Sequence, residues 1–461
     1  MTTTRIALVT SNGWGLGHLS RQIAVSLAVG VRGEITMFSF SRGLPVVEGF
    51  GIRGEFCASH SSEWIPAGRW NDYVERRFQI FLAEVQPEVV LFDGVAPYVG
   101  ILGALLDHPD IAAGWLRRGM WLRGRTEEQL TKARFFDFVI EPGDMAAEVD
   151  DGPTAELDSI RVRPISLLEV LPLLDRTEAA EALDLDLSRP TVLIGLAGQP
   201  GDALSAGNTA LGAALDHPDW QVAVVRSPLS RGDRETRGIA IEGVYPLVQY
   251  ARAFDAAVSA AGYNSVHELI PARVPTLLVP KSASQTDNQI ARATHLASRD
   301  LALVARDHDI ELVKSQVRAL LGPRREQLTS TLKGVHSGEV TGGAHEVADL
   351  LVTSPPRGER ETGRVEWRQP GFKGFVKRSI GPGGVRLVKG ALGRSVPQPV
   401  RRRVTLHPHA TADSAQLLVT DDLGAVSRSA DQPVEHLLTG ASDVYRQRRT
   451  ELIEEFYDVT E

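Results

Sequence analysis

A histidine directly after a glycine-rich turn, and an aspartate at the end of a buried strand, are the residues of this 461-residue chain best suited to move a proton. The turn reads Thr10-Ser11-Asn12-Gly13-Trp14-Gly15-Leu16-Gly17-His18. Glycines let a backbone approach a ligand, and the helix start that follows offers unpaired N–H groups and partial positive charge. Gly13, Gly15 and Gly17 are therefore a candidate cleft loop, although the third glycine comes one position too early for the dinucleotide fingerprint. His18 has the chemistry of a general base near neutral pH. Asp93 can hold its tautomer and stabilise the imidazolium. A plain tight turn, a structural histidine and an Asp93-Gly94 turn cap are the alternative readings.

A second constellation runs from Ser259 to Leu269 as SAAGYNSVHEL. A strand ends, Gly262 turns the chain, and a helix begins whose first N–H groups suit a diphosphate. Tyr263 lies in this turn, with Asn264 or Ser265 as the expected helix cap. Ser265-x-x-Glu268 is also a capping box that needs no ligand. Farther on, Asn288 and Gln289 open a helix with amides able to donate to and accept from sugar hydroxyls, the alternative being capping by Asp287. No metal site is expected. The Asp-x-Asp pairs Asp184/Asp186 and Asp307/Asp309 read as solvated faces, and one cysteine, Cys57, leaves no disulfide or cysteine-based zinc site.

The elements that must position these groups read as short apolar strands alternating with amphipathic helices. Ile6–Thr10, Glu34–Phe40, Pro87–Phe92 and Phe135–Ile140 are expected strands, with a helix over Leu19–Val29. The pattern restarts with Thr191–Leu196, the glycine loop Ala197–Gly201, and strands at Trp220–Val225, Phe254–Ser259, Thr276–Val279 and Leu301–Val304. Continuous apolar strands separated by helices imply parallel sheets covered on both faces. Ligands of such sheets bind beyond the carboxyl ends of the strands.

The expected organisation is an acceptor-side Rossmann-like domain over 1–163, a connection over 164–190, and a second Rossmann-like domain over 191–353. A basic Gly/Pro-rich linker over 354–403 and a small α/β-like extension over 404–461 follow. The linker holds thirteen Lys/Arg against three Glu, whereas the whole chain carries a net charge of −8. The acidic body disfavours nucleic acid, and the basic stretch suits an anionic membrane surface. No apolar run is long enough to span a bilayer and no secretory leader is expected, so the protein is placed in the cytoplasm, peripheral at the inner face of the membrane.

Taken together, NGWGLGHLSR, SAAGYNSVHEL, the following Val-Pro and DNQIARA resemble the two-domain GT-B glycosyltransferases. The likeness is to the MurG-like branch, the N-acetylglucosaminyltransferases that complete lipid II, and covers about residues 5–350. It implies an α/β fold with two Rossmann-like domains facing a central cleft, plus the C-terminal extension. It implies that Gly262, Tyr263, Asn264 and Ser265 bind a donor diphosphate, that Glu268 holds the ribose, that Asn288 and Gln289 meet the donor sugar, and that Gly198 and Gln199 sit in a nucleotide loop. Arg292 stands where that branch usually has Asn. The His18/Asp93 pair resembles the dyad of another GT-B branch, the UDP-glycosyltransferases acting on small acceptors.

The resulting expectation is a metal-independent, inverting hexosyltransferase without cofactor, moving sugar from a nucleotide-sugar, most simply a UDP-sugar, to a hydroxyl acceptor such as a cell-envelope or lipid-linked glycan. A nucleotide-sugar hydrolase sharing Gly17-His18-Leu19-Ser20-Arg21, and a non-catalytic GT-B-like binding protein with a membrane-surface tail, are the rivals.

Overall fold

The computed structural model describes residues 3–11, 16–59, 67–196, 202–225, 237–284, 286–353, 355–361, 402–405, 416–419 and 438–458. Two parallel sheets organise them. The first has seven strands: β1 (Thr4–Thr10), β2 (Gly33–Ser39), β3 (Arg53–Phe56), β4 (Val89–Asp93), β5 (Ala112–Leu116), β6 (Phe138–Pro142) and β7 (Ile160–Val162). Its spatial order is β3-β2-β1-β4-β5-β6-β7. The second has six strands: β8 (Thr191–Ile194), β9 (Gln221–Val225), β10 (Ile239–Ile241), β11 (Ala256–Ser259), β12 (Thr276–Leu278) and β13 (Leu303–Val304), ordered β10-β9-β8-β11-β12-β13. In β4 (VVLFD) and β5 (AAGWL) every residue is buried, as a strand covered on both faces requires.

In each sheet the strand order reverses once, between β1 and β4 and between β8 and β11. A crevice opens at such a switch point, beyond the carboxyl ends of the two strands. The register sets Thr10 beside Asp93, so the first crevice is flanked by the start of helix α1 (Gly17–Val29) and the end of β4. The second is flanked by Ser259 and the start of helix α2 (Tyr263–Leu269).

The expected strands are displaced by a few residues. The apolar stretch around Phe135 is largely a 3-10 helix, and β6 begins at Phe138. β3, β5 and β7 escaped the sequence reading because they are short and carry Gly or Arg, and β10 because it is only three residues long. Helix α3 (Gly343–Thr353) returns to the first domain, where Val347, Ala348 and Leu351 join the core containing Ile23 and Val25 of α1.

The last helix, α4 (Asp443–Asp458), also lies on the first domain. Its Phe456 stacks on Tyr73 with ring centroids 4.0 Å apart. Its Arg449 joins Arg77 around the buried Glu55, and Ser442, just before the helix, bonds to Glu84. Strands β14 (Arg402–Thr405) and β15 (Gln416–Val419) form an antiparallel pair.

Candidate active site

Asp93 ends β4 as a fully buried carboxylate, 1% exposed. His18 sits on the first turn of α1, and its Nδ1 lies 2.7 Å from Asp93 Oδ1. Arg21, one turn later and 2% exposed, grips the same carboxylate with both arms. Its Nε donates to Oδ2 at 3.0 Å and its Nη2 to Oδ1 at 2.7 Å. Helix spacing explains the placement, since residues three apart share one face.

Burial works against the Asp93 carboxylate, but Arg21 and His18 outweigh it and hold the carboxyl below its usual range. Burial pushes the His18 imidazole below its ordinary value, and Arg21 and Arg118 push the same way against Asp93. The histidine is therefore neutral at pH 7. With Nδ1–H donated to Asp93, Nε2 is left as the basic nitrogen. His18 keeps 14% of its side chain exposed and lines a narrow recess together with Arg21, Asp93, Gly94, Val95, Leu116, Arg118 and Trp121.

The second domain meets this cluster through α2. Gly262, in extended conformation, is its N-cap, and no side chain caps the helix. Asn264 and Ser265 thus lie inside the first turn instead of capping it, so the capping-box reading fails. The Cβ position of Gly262 faces open space. Asn264 reaches across: its Oδ1 accepts from Arg21 Nη1 at 3.3 Å and its Nδ2 donates to the Gly17 carbonyl at 3.3 Å. The Tyr263 hydroxyl accepts from the Ile165 N–H at 2.9 Å, and its ring lies under the guanidinium groups of Arg21 and Arg118. Tyr263 is therefore a buried support. The Glu268 side chain has no hydrogen bond among the described residues, and burial pushes its carboxyl up to about 8.

The Asp287-Asn288-Gln289 run is pinned to the first domain. The Leu122 N–H donates to the Thr286 carbonyl at 2.7 Å and the Asn288 N–H to the Met120 carbonyl at 2.8 Å. Asn288, not Asp287, caps its helix, its Oδ1 accepting from the Ala291 N–H at 3.1 Å. Gln289 Oε1 accepts from the Lys281 N–H at 3.1 Å. Asp287 is instead held by Arg292 at 2.9 Å and faces Arg118 at 3.6 Å.

Arg292, fully buried, donates to Asp144 of the first domain at 2.7 to 3.1 Å and to the Ala261 carbonyl at 2.9 Å. Despite burial, Arg292 and His267 hold the Asp144 carboxyl far below its usual range. His267 completes the bond set: its Nδ1 donates to the Tyr263 carbonyl and its Nε2 accepts from the Met145 N–H.

The structure thus brings together His18, Asp93, Gly17 and Asn264, with Asn288 and Gln289 on the facing loop. Gly13, Gly15, Gly198 and Gln199 lie outside the described residues. Asp184 and Asp186 are exposed as expected, but Asp307 is not: it is 3% exposed and accepts from the N–H and hydroxyl of Ser282. A carboxylate clamping two strand-end loops carries the same letters as a solvated one. Among the described residues no cluster of His, Cys, Asp or Glu has metal-holding geometry.

Sequence reasoning missed Arg118, Asp144 and the roles of Arg21 and Arg292. Only Arg21 had a local signal, its i+3 spacing from His18.

Comparison with known proteins agrees with this architecture. Residues 242–343 match the glycosyltransferase family 28 C-terminal domain. The solved glycosyltransferase of kitacinnamycin superposes with a TM-score of 0.53 at 14% identity, covering 76% of this chain and 99% of that one. The glycosyltransferase SnogD from Streptomyces nogalater gives 0.50 at 15% identity, covering 77% and 100%. The chain has the GT-B fold of these structures.

Two relatives are each named UDP-N-acetylglucosamine–N-acetylmuramyl-(pentapeptide) pyrophosphoryl-undecaprenol N-acetylglucosamine transferase. The Sulfurovum sp. protein is 33% identical over 124 residues, 26% of this chain and 35% of its own length. The Xanthomonas oryzae pv. oryzae protein is 29% identical over 191 residues, 39% of this chain and 43% of its own. The matched stretches span less than half of either relative.

Proposed function

We propose that the protein is a metal-independent, inverting glycosyltransferase that moves a hexosyl group from a nucleotide-sugar, most simply a UDP-sugar, to a hydroxyl of a lipid-linked cell-envelope acceptor. The observation that carries the reading is the His18–Asp93 contact at the first switch point, facing the uncapped start of α2 at the second. The acceptor oxygen attacks the anomeric carbon while His18 Nε2 takes its proton. The bond from that carbon to the diphosphate oxygen breaks, and the N–H groups following Gly262 receive the charge of the leaving UDP. Glu268, near the same turn and without a partner among the described residues, suits the ribose hydroxyls. Asn288 and Gln289 stand by the sugar, each with its NH₂ group to offer after its carbonyl oxygen is used.

The lipid-linked acceptor rests on the names of the curated relatives. The cytoplasmic placement, peripheral at the inner membrane face, rests on the same likeness and on the basic stretch 354–403, most of which lies outside the described residues. Among the described residues no helix is long and apolar enough to cross a membrane.

The test is UDP release from a panel of UDP-sugars with and without polyprenyl-diphosphate-linked saccharides. Acceptor-dependent release supports transfer and must survive a chelator. Free sugar from donor alone, undiminished by acceptor, indicates a hydrolase. No turnover and no change in melting temperature with UDP indicate a binding protein, because a ligand selective for the native state must stabilise it.

A further inference from the structure

Arg21 ties the His18–Asp93 pair to the facing domain. It is a buried cation whose three nitrogens are all engaged: Nε and Nη2 on the two oxygens of Asp93, and Nη1 on Asn264 of the facing domain. The same Nη2 stands 2.7 Å from His18 Nδ1. Nδ1 is thus flanked by a carboxylate oxygen and by a guanidinium nitrogen, and only one of the two can share its proton. If Nδ1 carries hydrogen it donates to Asp93, and Nε2 is the base. If Nδ1 is bare it accepts from Arg21, Nε2 carries the hydrogen, and no base faces the recess.

We propose that Arg21 is a positioning residue of the His18 base: by holding both oxygens of Asp93 it fixes the carboxylate as the partner of Nδ1–H and keeps the imidazole in its neutral, Nε2-basic form. The inference rests on the reading of His18 as general base. A bidentate guanidinium–carboxylate pair fixes orientation as well as charge, which an ammonium cannot reproduce.

The charged and titratable groups facing His18 come from several elements. Asp93 lies on β4, Arg21 on the same helix, and Arg118 on the loop after β5. Tyr263 of α2 lies beneath both arginines. Removing Arg21 takes away one of the two cations that oppose the imidazolium and leaves Asp93 to favour it.

The experiment is ¹⁵N NMR of the histidine side chains of the full chain. It compares wild type, Arg21→Lys and Arg21→Met, with His18 assigned by its absence in His18→Gln. UDP release is measured across pH in parallel. Wild type is expected to show the Nδ1–H tautomer. In Arg21→Met, His18 should titrate at higher pH, the acid limb of kcat should move up with it, and kcat at pH 7 should fall by about tenfold or more. Arg21→Lys should lie between the two, since it restores charge without the fork. Added guanidinium should return part of the activity of Arg21→Met.

The proposal is overturned if both variants lose kcat while the His18 titration, its tautomer and the acid limb stay where they are. It is equally overturned if wild type shows Nε2–H. Should Arg21→Met fail to fold, Arg21→Lys carries the same test. Should His18→Gln turn over normally, the base assignment fails, while the NMR comparison still reports whether Arg21 governs the imidazole.

Discussion

The two sides of the cleft are built in opposite ways. On the first domain, His18, Asp93 and Arg21 form a closed set, each charge paired and nearly removed from water. On the second, α2 starts without a side-chain cap, Gly262 faces open space, and the half-buried Glu268 carboxyl has no hydrogen bond among the described residues. The first side pairs its charges internally; the second leaves the Glu268 carboxyl without a hydrogen bond among the described residues. Between them run the bonds of Arg292 to Asp144, Asn264 to Gly17 and Arg21, and the paired backbones of 120–122 and 286–288. The two sides therefore share one hydrogen-bonded seam.

The largest effect expected is in His18→Ala. UDP release with acceptor should fall by ~10³-fold, within the usual worth of a positioned base, while UDP still raises the melting temperature. Normal turnover would break the contrast, leaving both sides as binding surface.

Asp93→Asn should cost activity by about 10²-fold and also destabilise the first domain by about 3–5 kcal/mol, because Arg21 is left as an unmatched buried cation. Chemical denaturation separates the two losses. An unchanged stability would mean that water already reaches the pair.

Glu268→Gln probes the other side. The folded-state value of about 8 lies above the 4.5 of a free glutamate, so folding favours the protonated form. Wild type should lose stability as pH rises from about 4.5 towards 8, with the loss complete above 8. The glutamine variant escapes this and should melt about 2–4 °C higher at pH 9, with no advantage at pH 4. At pH 9, where the carboxyl is charged, it should also bind UDP about tenfold more weakly, the worth of a charged hydrogen bond. Tighter UDP binding would remove Glu268 from the donor site.

The smallest effect belongs far from the cleft. Glu455→Ala breaks the exposed pair with Arg76 and should change stability by less than about 1 kcal/mol, with activity untouched. Denaturant titration and UDP release check it. A larger loss would make the α4 contact part of the acceptor-side framework.

Much of this was legible before the coordinates. Strand periodicity marks β1, β4, β8 and β11, and the turns after β1 and β11 carry the glycines, His18 and the α2 motif. Asp93 was legible because it follows a run too apolar to be anything but a buried strand. The pairing of Arg292 with Asp144 was not, since its partners lie 148 positions apart and Asp144 belongs to no motif. Asp307 was misread for a related reason: burial of a carboxylate depends on which loop folds over it, and Ser282 approaches from another strand end. Arg21 was in view as the end of Gly-His-x-x-Arg, but a basic residue on a helix face says nothing about its partner until β4 is placed beside α1.

The most direct measurement of the central claim is a crystal structure with UDP bound, followed by calorimetry of UDP on His18→Ala and Glu268→Gln. The account predicts the diphosphate on the N–H groups that follow Gly262, the ribose hydroxyls within hydrogen-bond reach of Glu268, and weakened binding in the glutamine variant alone. UDP seated elsewhere, or bound equally by both variants, would contradict it.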